Sequence, residues 1–382
     1  MDSFAIENER ELGSKALNLT LEEASGSWTL RSTPGGKTSI IINQINNQFT
    51  FDLVDSRTGK IIQKGLSFAS QLETIDTLLF NKEENSKYQN HVTEQHSYFA
   101  TSVKFSTQNK ESAYGFGEKA GLLSKAGRSW RMWNYDNYAY SFDSDPLYQS
   151  IPFLMFHGSE SELGHGLFID TVSRQVWDLT QYKNGATTVE ESSVSVKVDR
   201  YGTMSMYLFA AESPLSLIQQ FVGLTGRTEL PPLYALGFQQ CRWSYYPEDR
   251  VREISNGFIE RDIPADVFYL DIDYMERFKC FTVSKEHFPD VKRMANDLLL
   301  KNRQRIVSII DPGISKEAGY HVYEDGTKEN VWCTLKGENY VETVWPEICS
   351  FPDFFSERVR QWWGKYYKNL MDCGIQAFWN DM

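Results

Sequence analysis

Hydrophobic positions along this chain keep two different periods. From about residue 17 to residue 209 they alternate with polar ones or gather in short β-branched runs, as in Ser39-Ile-Ile-Ile-Asn, Gln48-Phe-Thr-Phe-Asp-Leu-Val, Tyr98-Phe-Ala-Thr-Ser-Val-Lys-Phe and Ser192-Ser-Val-Ser-Val-Lys-Val. Turn chemistry separates them at Thr33-Pro-Gly-Gly, Thr58-Gly-Lys and Lys183-Asn-Gly. A period of two with frequent turns predicts an antiparallel sandwich of two large sheets, each with one face buried and one wet.

After Pro231-Pro232 the period lengthens. Tyr234-Ala-Leu-Gly-Phe reads as a strand, and a helix follows Tyr246-Pro247 with Val251, Ile254, Phe258 and Ile259 on one face, ending at Asp262-Ile-Pro264. Strand Asp266–Leu270, a helix around Val291–Lys301 and strand Arg305–Ile310 come next. The last helix, about Ser356–Asp372, sets Val359, Trp362, Trp363, Tyr366, Tyr367 and Leu370 on one stripe, which reads as core. Gly374 stands where a helix C′ glycine would, ahead of strand Ile375-Gln-Ala-Phe-Trp. Four strand–helix alternations predict a parallel sheet with helical crossovers. The turn after the first strand, Gln240-Cys-Arg-Trp-Ser-Tyr-Tyr-Pro, has no glycine-rich phosphate loop, so a (β/α)8 barrel fits better than a doubly wound sheet. The 152 residues from Pro231 onward hold only four of its eight units. The expected organisation is a β-sandwich over 1–230 and the first half of a barrel over 231–382.

Composition narrows the classes. Of 382 residues 41% are hydrophobic and 24% charged, which is ordinary for a globular protein. No apolar run reaches a membrane span and the first residues resemble no secretory signal, so neither a membrane nor export is expected, and the expected setting is cytoplasmic. A net charge of −12 without a basic block argues against nucleic acid. Five cysteines without a Cys-x-x-Cys pair read as free thiols, and the six histidines show no zinc spacing. Aromatic content is 14%, enough to furnish flat platforms for sugar rings, although core packing also uses such residues.

Acids gather at the strand ends. The first strand leads to Arg242-Trp243, the second to Asp271-Ile-Asp273, the third to Asp311-Pro312 and the fourth to Trp379-Asn-Asp381-Met382. One such Asp is usually a helix cap; acids at successive strand ends of one barrel face suggest a site. An Asp-x-Asp pair also occurs at metal–sugar-nucleotide sites, but no phosphate-cradling loop accompanies it here. Gly115 and Gly117 read as a tight strand turn, and Phe351-Pro-Asp353 reads equally as a loop end.

Taken together, several segments resemble glycoside hydrolase family 31, best known for α-glucosidases. They are Tyr114-Gly-Phe-Gly-Glu118, Trp133-Asn-Tyr-Asp136, Pro231-Pro-Leu-Tyr-Ala-Leu-Gly-Phe, Cys241-Arg-Trp243, Asp271-Ile-Asp-Tyr-Met275, Ile310-Asp-Pro312, Val344-Trp-Pro346 with Phe351-Pro-Asp353, and Trp379-Asn-Asp-Met382, in family order. The resemblance implies a galactose-mutarotase-like sandwich feeding the barrel, in agreement with the periods above. It makes Asp381 the catalytic nucleophile, and Asp271 and Asp136 hydroxyl-binding acids. Trp243, Ile309, Trp345, Trp379 and Met382 would be pocket walls. Arg242 and Asp311 would support from behind, and Asp273 stands between contact and strut.

The activity implied is a retaining exo-α-glucosidase acting on short oligosaccharides without metal or cofactor, with an α-xylosidase, an α-glucan lyase or a non-catalytic carbohydrate-binding fragment as alternatives. Family members place the acid/base and further pocket residues on later barrel strands. The expectation is therefore that these residues alone are inactive, that an open half-barrel exposes an apolar edge, and that the other half comes from the same precursor or a second chain. Homo-oligomers are common in the family. Linkage preference would depend on a +1 subsite to which the loop from Pro312 to Phe351 is expected to contribute.

Overall fold

The computed structural model describes residues 18–382, apart from the short segments 25–26, 34–37, 46–47, 81–90, 108–109, 159–162, 185–187, 189–191 and 201–203. The turn read at Thr33-Pro-Gly-Gly lies largely outside the described residues, as does the glycine of Lys183-Asn-Gly. The chain divides into two units, Met1–Thr228 and Glu229–Met382.

In the first unit the strands are β1 Asn18–Ala24, β2 Ser27–Thr33, β3 Thr38–Ile45, β4 Gln48–Asp55, β5 Ile61–Phe80, β6 His91–Thr107, β7 Ser112–Gly117, β8 Ser129–Met132, β9 Ser150–His157, β10 Gly164–Asp170, β11 Gln175–Asp178, β12 Ser193–Arg200 and β13 Ser205–Ala211. They build two antiparallel sheets, ordered β1-β2-β3-β4-β5-β6-β12-β11-β8 and β13-β10-β9-β7. Alternation explains the stacking. Val103 and Phe105 of β6, Val194, Val196 and Val198 of β12 and Trp177 of β11 meet Leu154 and Phe156 of β9 and Leu167 and Ile169 of β10 in one core. Phe105 meets Phe156 edge-on at 5.7 Å between ring centres.

The intervening residues of the smaller sheet do not face water, in contrast to the one-wet-face expectation. Phe153, Phe168 and Phe209 pack with Leu217, Phe221 and Leu224 of helix α1, Pro214–Thr225. Ser213 caps that helix by accepting from the Ser216 N–H, and a proline stands at its start. In β7, Gly115 has φ +141° and a Cβ there would lie 2.3 Å from the Phe153 carbonyl oxygen, so only glycine lets β7 pair with β9. The tight turn read there is instead an irregularity inside β7, where its register against β9 shifts between Gly115 and Gly117.

In the second unit, β14 Gln239–Gln240, β15 Val267–Leu270, β16 Arg305–Ile310 and β22 Ala377–Asn380 form a parallel sheet in chain order. Sequential order is that of a barrel wall; a doubly wound sheet reverses direction after its first strand. Helices α2 Glu248–Glu260, α3 Val291–Asn302 and α5 Glu357–Asp372 are the crossovers. Between β16 and α5 lie α4 His321–Lys328 and the short strands β17 Ile314–Ser315, β18 Thr334–Leu335, β19 Glu338–Asn339, β20 Val341–Val344 and β21 Glu347–Ser350. The aromatic stripe of α5 is buried as read, except that Tyr367 is partly exposed. Its end is a Schellman motif: Gly374, at φ +84°, donates to the Met371 carbonyl at 2.8 Å while the Ile375 N–H reaches the Leu370 carbonyl at 3.3 Å.

One element differs from the reading. Tyr234-Ala-Leu-Gly-Phe is not the first barrel strand; Leu233–Leu236 is a 3₁₀ turn and the strand is Gln239–Gln240. Its polar side chains are occupied: Gln239 accepts from the Tyr269 hydroxyl at 2.6 Å and Gln240 donates to the Tyr245 hydroxyl at 2.8 Å. No helix among the described residues is long and apolar enough to cross a membrane.

Candidate active site

Asp271 follows directly on β15 and is 9% exposed. One of its oxygens accepts from the Ile272 N–H at 2.7 Å and so caps the 3₁₀ turn Ile272–Tyr274. The ordinary capping role of an Asp at a strand end is therefore real here, and it fixes the carboxylate's direction. Burial raises the pKa of Asp271 against the lowering effect of that bond, and the charges of Asp273 and Asp381 raise it further.

Asp311 follows β16 in the same way and is 4% exposed. Its Oδ1 has no hydrogen-bond partner among the described residues. Burial, then the charges of Asp381 and Asp271, push its pKa up to about 6. Asp381 follows β22; its N–H donates to the Ile310 carbonyl at 3.3 Å and its Oδ1 accepts from Met382 N–H at 2.7 Å. Asp271, Asp311 and Asp381 thus stand at the ends of three adjacent strands and within one another's electrostatic field.

The loops behind the acids are tied together. Tyr274, fully buried, donates its hydroxyl to the Ile309 carbonyl at 2.9 Å. Cys280 donates its thiol to the Asp311 carbonyl at 3.0 Å. All five cysteines are free thiols. Trp243, on the turn after β14, donates from Nε1 to Asp273 at 3.1 Å. This bond makes Asp273 a strut for an exposed indole.

The remaining site residues divide by exposure. Trp243, Trp345 and Met382 are exposed, at 69%, 58% and 64%. Trp379 is half-buried and meets Tyr269 edge-on at 6.2 Å between ring centres. Ile309 departs from its expected place in a pocket wall: it is 2% exposed and packs into the barrel core, because the strand interior encloses it. Arg242 departs too. Its side chain is exposed and makes no hydrogen bond or ion pair among the described residues, so support for the loop comes from Trp243 instead.

Asp136 lies in the first unit on the exposed loop between β8 and β9. The Tyr148 phenol is raised in pKa by desolvation and by its hydrogen bond with Asp136. The root of this loop is clamped by a buried ion pair, Lys119 to Asp145 at 2.8 Å.

A cavity of about 770 Å³ adjoins the acids, sharing Asp273 and Trp345 with the site. It is lined by the turn after β14, the loop after β15, the Ser315–Glu317 segment and the β20–β21 hairpin, the last two from the loop between Pro312 and Phe351. Among the described residues no group of three or more His, Cys, Asp or Glu is placed to hold a metal ion.

Residues 228–382 match the family model for the glycosyl hydrolases family 31 TIM-barrel domain, and residues 3–178 match that for the glycosyl hydrolase 31 N-terminal galactose mutarotase-like domain. An α-glucosidase 2 from Bacillus thermoamyloliquefaciens is 41% identical over 271 residues, 70% of this chain and 33% of that protein. A family 31 α-glucosidase structure from Bacteroides thetaiotaomicron superposes with a TM-score of 0.62 at 34% identity, covering 72% of this chain and 45% of the other. A Flavobacterium johnsoniae family 31 dextranase solved with glucose gives a TM-score of 0.79 at 26% identity, covering 100% of this chain and 42% of the other. The chain spans about a third of the length of that first curated relative and under half of these solved chains.

Proposed function

The chain belongs to glycosyl hydrolase family 31, and from that premise we propose that the protein hydrolyses terminal α-linked glucose from short oligosaccharides with retention of configuration. The observation that carries this reading is the gathering of Asp271, Asp311 and Asp381 at the ends of adjacent parallel strands, each raised or raising through its neighbours' charge.

Asp381 is the nucleophile. Its carboxylate attacks the anomeric carbon from the β face, the glycosidic C–O bond breaks, and the leaving oxygen takes a proton from an acid carboxyl. Water then cleaves the glycosyl ester with the same group as base, and the second inversion restores the α configuration. Asp271 accepts from ring hydroxyls, and its buried position makes those bonds strong. Trp243 and Trp379 present apolar faces to the ring. Asp311 is not the acid of this scheme: it is enclosed, at 4% exposure. The reading assigns the acid/base to a carboxyl outside residues 1–382, in keeping with the third of its relative's length that the chain spans.

Full-length protein incubated with 5-fluoro-α-glucosyl fluoride and then digested is expected to carry a glucosyl adduct on the peptide containing Asp381. α-Glucose is expected as the first-formed anomer by NMR. A β first product, or an adduct elsewhere, overturns the mechanism. Release of xylose or of an anhydro sugar in place of glucose would redirect the reading to the xylosidase or lyase. We further propose a cytoplasmic setting, supported by the five unpaired thiols, which fractionation of the native cell tests.

A further inference from the structure

The carboxylate of Asp381 has no side-chain donor to aim it. The residue is exposed, and among the described residues its carboxylate accepts only the N–H of Met382, its own neighbour. Its N–H reaches the Ile310 carbonyl at 3.3 Å, a long bond. Its direction is therefore set by β22, the strand that leads into it, and by whatever holds the end of that strand.

Two side chains of β22 show what does. Successive residues of a strand face opposite ways. Phe378 packs edge-on against Tyr367 of α5 at 4.6 Å between ring centres, and Asn380 accepts at Oδ1 from the Tyr367 hydroxyl at 2.8 Å. Trp379 faces away from the helix, against Tyr269, and the same alternation turns Asp381 to that side. Tyr367 thus grips the strand end from behind, at the residue immediately before Asp381.

The chemistry of the partners fixes the direction of this grip. An indole nitrogen can only donate, and Trp363 donates from Nε1 to the Tyr367 oxygen at 3.1 Å. The one proton of the phenol then goes to Asn380, and each bond polarises the next. The Asn380 amide is oriented in turn, with its oxygen toward Tyr367. The relay is rooted in the core: Trp363 is 9% exposed and meets Phe281 and Phe354 edge-on at 4.8 and 5.2 Å. Phe281 also meets the Tyr367 ring, at 5.2 Å. A phenylalanine at position 367 would satisfy these ring contacts. Only the hydroxyl is surplus to packing, and the hydroxyl is what reaches the strand end.

We propose that Tyr367 is a positioning residue for Asp381: through Asn380 it holds the end of β22 so that the carboxylate keeps the direction its attack needs. The proposal rests on the hydrolase reading and deepens it by a residue that acts on the reaction only through Asn380.

The test compares full-length Tyr367→Phe, Asn380→Leu, the double variant and Tyr366→Phe. Tyr366 is the control, because its hydroxyl bonds Asp325 of α4 and not β22. The limiting rate constant for forming the glucosyl adduct from saturating 5-fluoro-α-glucosyl fluoride, followed by intact mass, reads the attack itself. It is expected to fall at least about fivefold in Tyr367→Phe, with the half-saturating concentration within about twofold, since misalignment of a nucleophile slows the chemical step. Asn380→Leu is expected to give a similar fall and the double variant little more, because both single changes remove one and the same bond. Tyr366→Phe is expected to lower Tm and leave the rate constant unchanged. A smaller fall in Tyr367→Phe, an equal fall in Tyr366→Phe or additive losses in the double variant overturns the proposal. Should Tyr367→Phe not fold, Asn380→Leu against Tyr366→Phe decides by the same threshold.

Should the unaltered protein neither form the adduct nor hydrolyse an α-glucoside, the hydrolase reading has failed by itself. Hydrogen exchange of the peptide containing residues 377–382 then decides whether Tyr367 holds Asp381. Exchange at least about fivefold faster in Tyr367→Phe and unchanged in Tyr366→Phe upholds the tie, and any other result overturns it.

Discussion

The indole Nε1 of Trp243 donates to Asp273 at 3.1 Å and thereby joins the turn after the first barrel strand to the turn after the second. Both partners sit at the site, so the bond fixes the plane of a ring that is 69% exposed and packs against little else. Trp243→Phe keeps an aromatic face and removes the donor. A charge-assisted bond of this exposure contributes about 1 kcal/mol, so kcat/KM is expected to fall about three- to tenfold. Because the ring is exposed, Tm is expected to move by less than about 2 °C. A large loss of Tm with unchanged kinetics would show a purely structural ring.

Asp311 makes stability depend on pH in a defined direction. Its folded pKa of about 6 stands above the 3.8 of a free aspartate, so the folded state holds the proton more tightly than the unfolded one. Below about pH 4 both states are protonated and no penalty exists; between about pH 4 and 6 the penalty grows, and above 6 it is complete. It amounts to at most about 3 kcal/mol at neutral pH. The groups facing Asp311 are Asp271 and Asp381, with Cys280, Cys349 and Tyr274 on the packed loops, and none of them supplies a positive charge. Asp311→Asn is expected to raise Tm by about 5 °C at pH 7.5 and by less than about 1 °C at pH 4. Equal effects at both pH values would remove ionisation as the cause.

The loop that carries Asp136 is held at its root by Lys119 and Asp145, whose side chains are 0% and 7% exposed. Lys119 also donates to the Arg131 carbonyl, and Asp145 accepts from the Arg131 N–H at 2.6 Å. Lys119→Met leaves a buried carboxylate without its cation, at a cost of about 3–5 kcal/mol. Lys119→Met combined with Asp145→Leu is expected to recover most of that loss, which urea unfolding in a double-mutant cycle reads directly. Additive losses would mean that the pair is not coupled.

Much of the barrel unit was legible because its helices announce themselves. Val251, Leu298 and the Trp362–Leu370 stripe recur at helical spacing, and Gly374 ends the last helix by a backbone conformation that favours glycine. The first strand was not legible. Its apolar-looking herald, Tyr234–Phe238, is a turn after two prolines, whereas the strand itself is two glutamines whose partners, Tyr269 and Tyr245, lie in other segments. Helix α1 did carry a signal in Ser213-Pro214 followed by Leu217, Phe221 and Leu224, and that helix is why the smaller sheet is covered on both faces. The acids were legible together, as successive strand ends on one face; their mutual field was not, since it depends on sheet register. Of the cavity only the part from the Pro312–Phe351 loop, with Asp273 and Trp345, was legible, because its other lining residues come from turns far apart in the chain.

The sharpest test of the chemistry is Asp381. Its Oδ1 accepts from the Met382 N–H at 2.7 Å, which Asp381→Asn can retain while losing nucleophilicity. Both Asp381→Asn and Asp381→Ala are expected to lower kcat by at least about three decades with Tm little changed, since a covalent step is removed and the carboxylate is exposed. Azide separates a nucleophile from any other acid. In Asp381→Ala it enters the space the carboxylate occupied and attacks an activated α-glucosyl fluoride from the β face, releasing fluoride and leaving β-glucosyl azide. Recovery of turnover with that product assigns Asp381 the attacking role. Recovery with α-glucosyl azide would instead make it the acid/base, because only an intact nucleophile first inverts the centre. No recovery together with substantial residual hydrolysis would take Asp381 out of the reaction altogether.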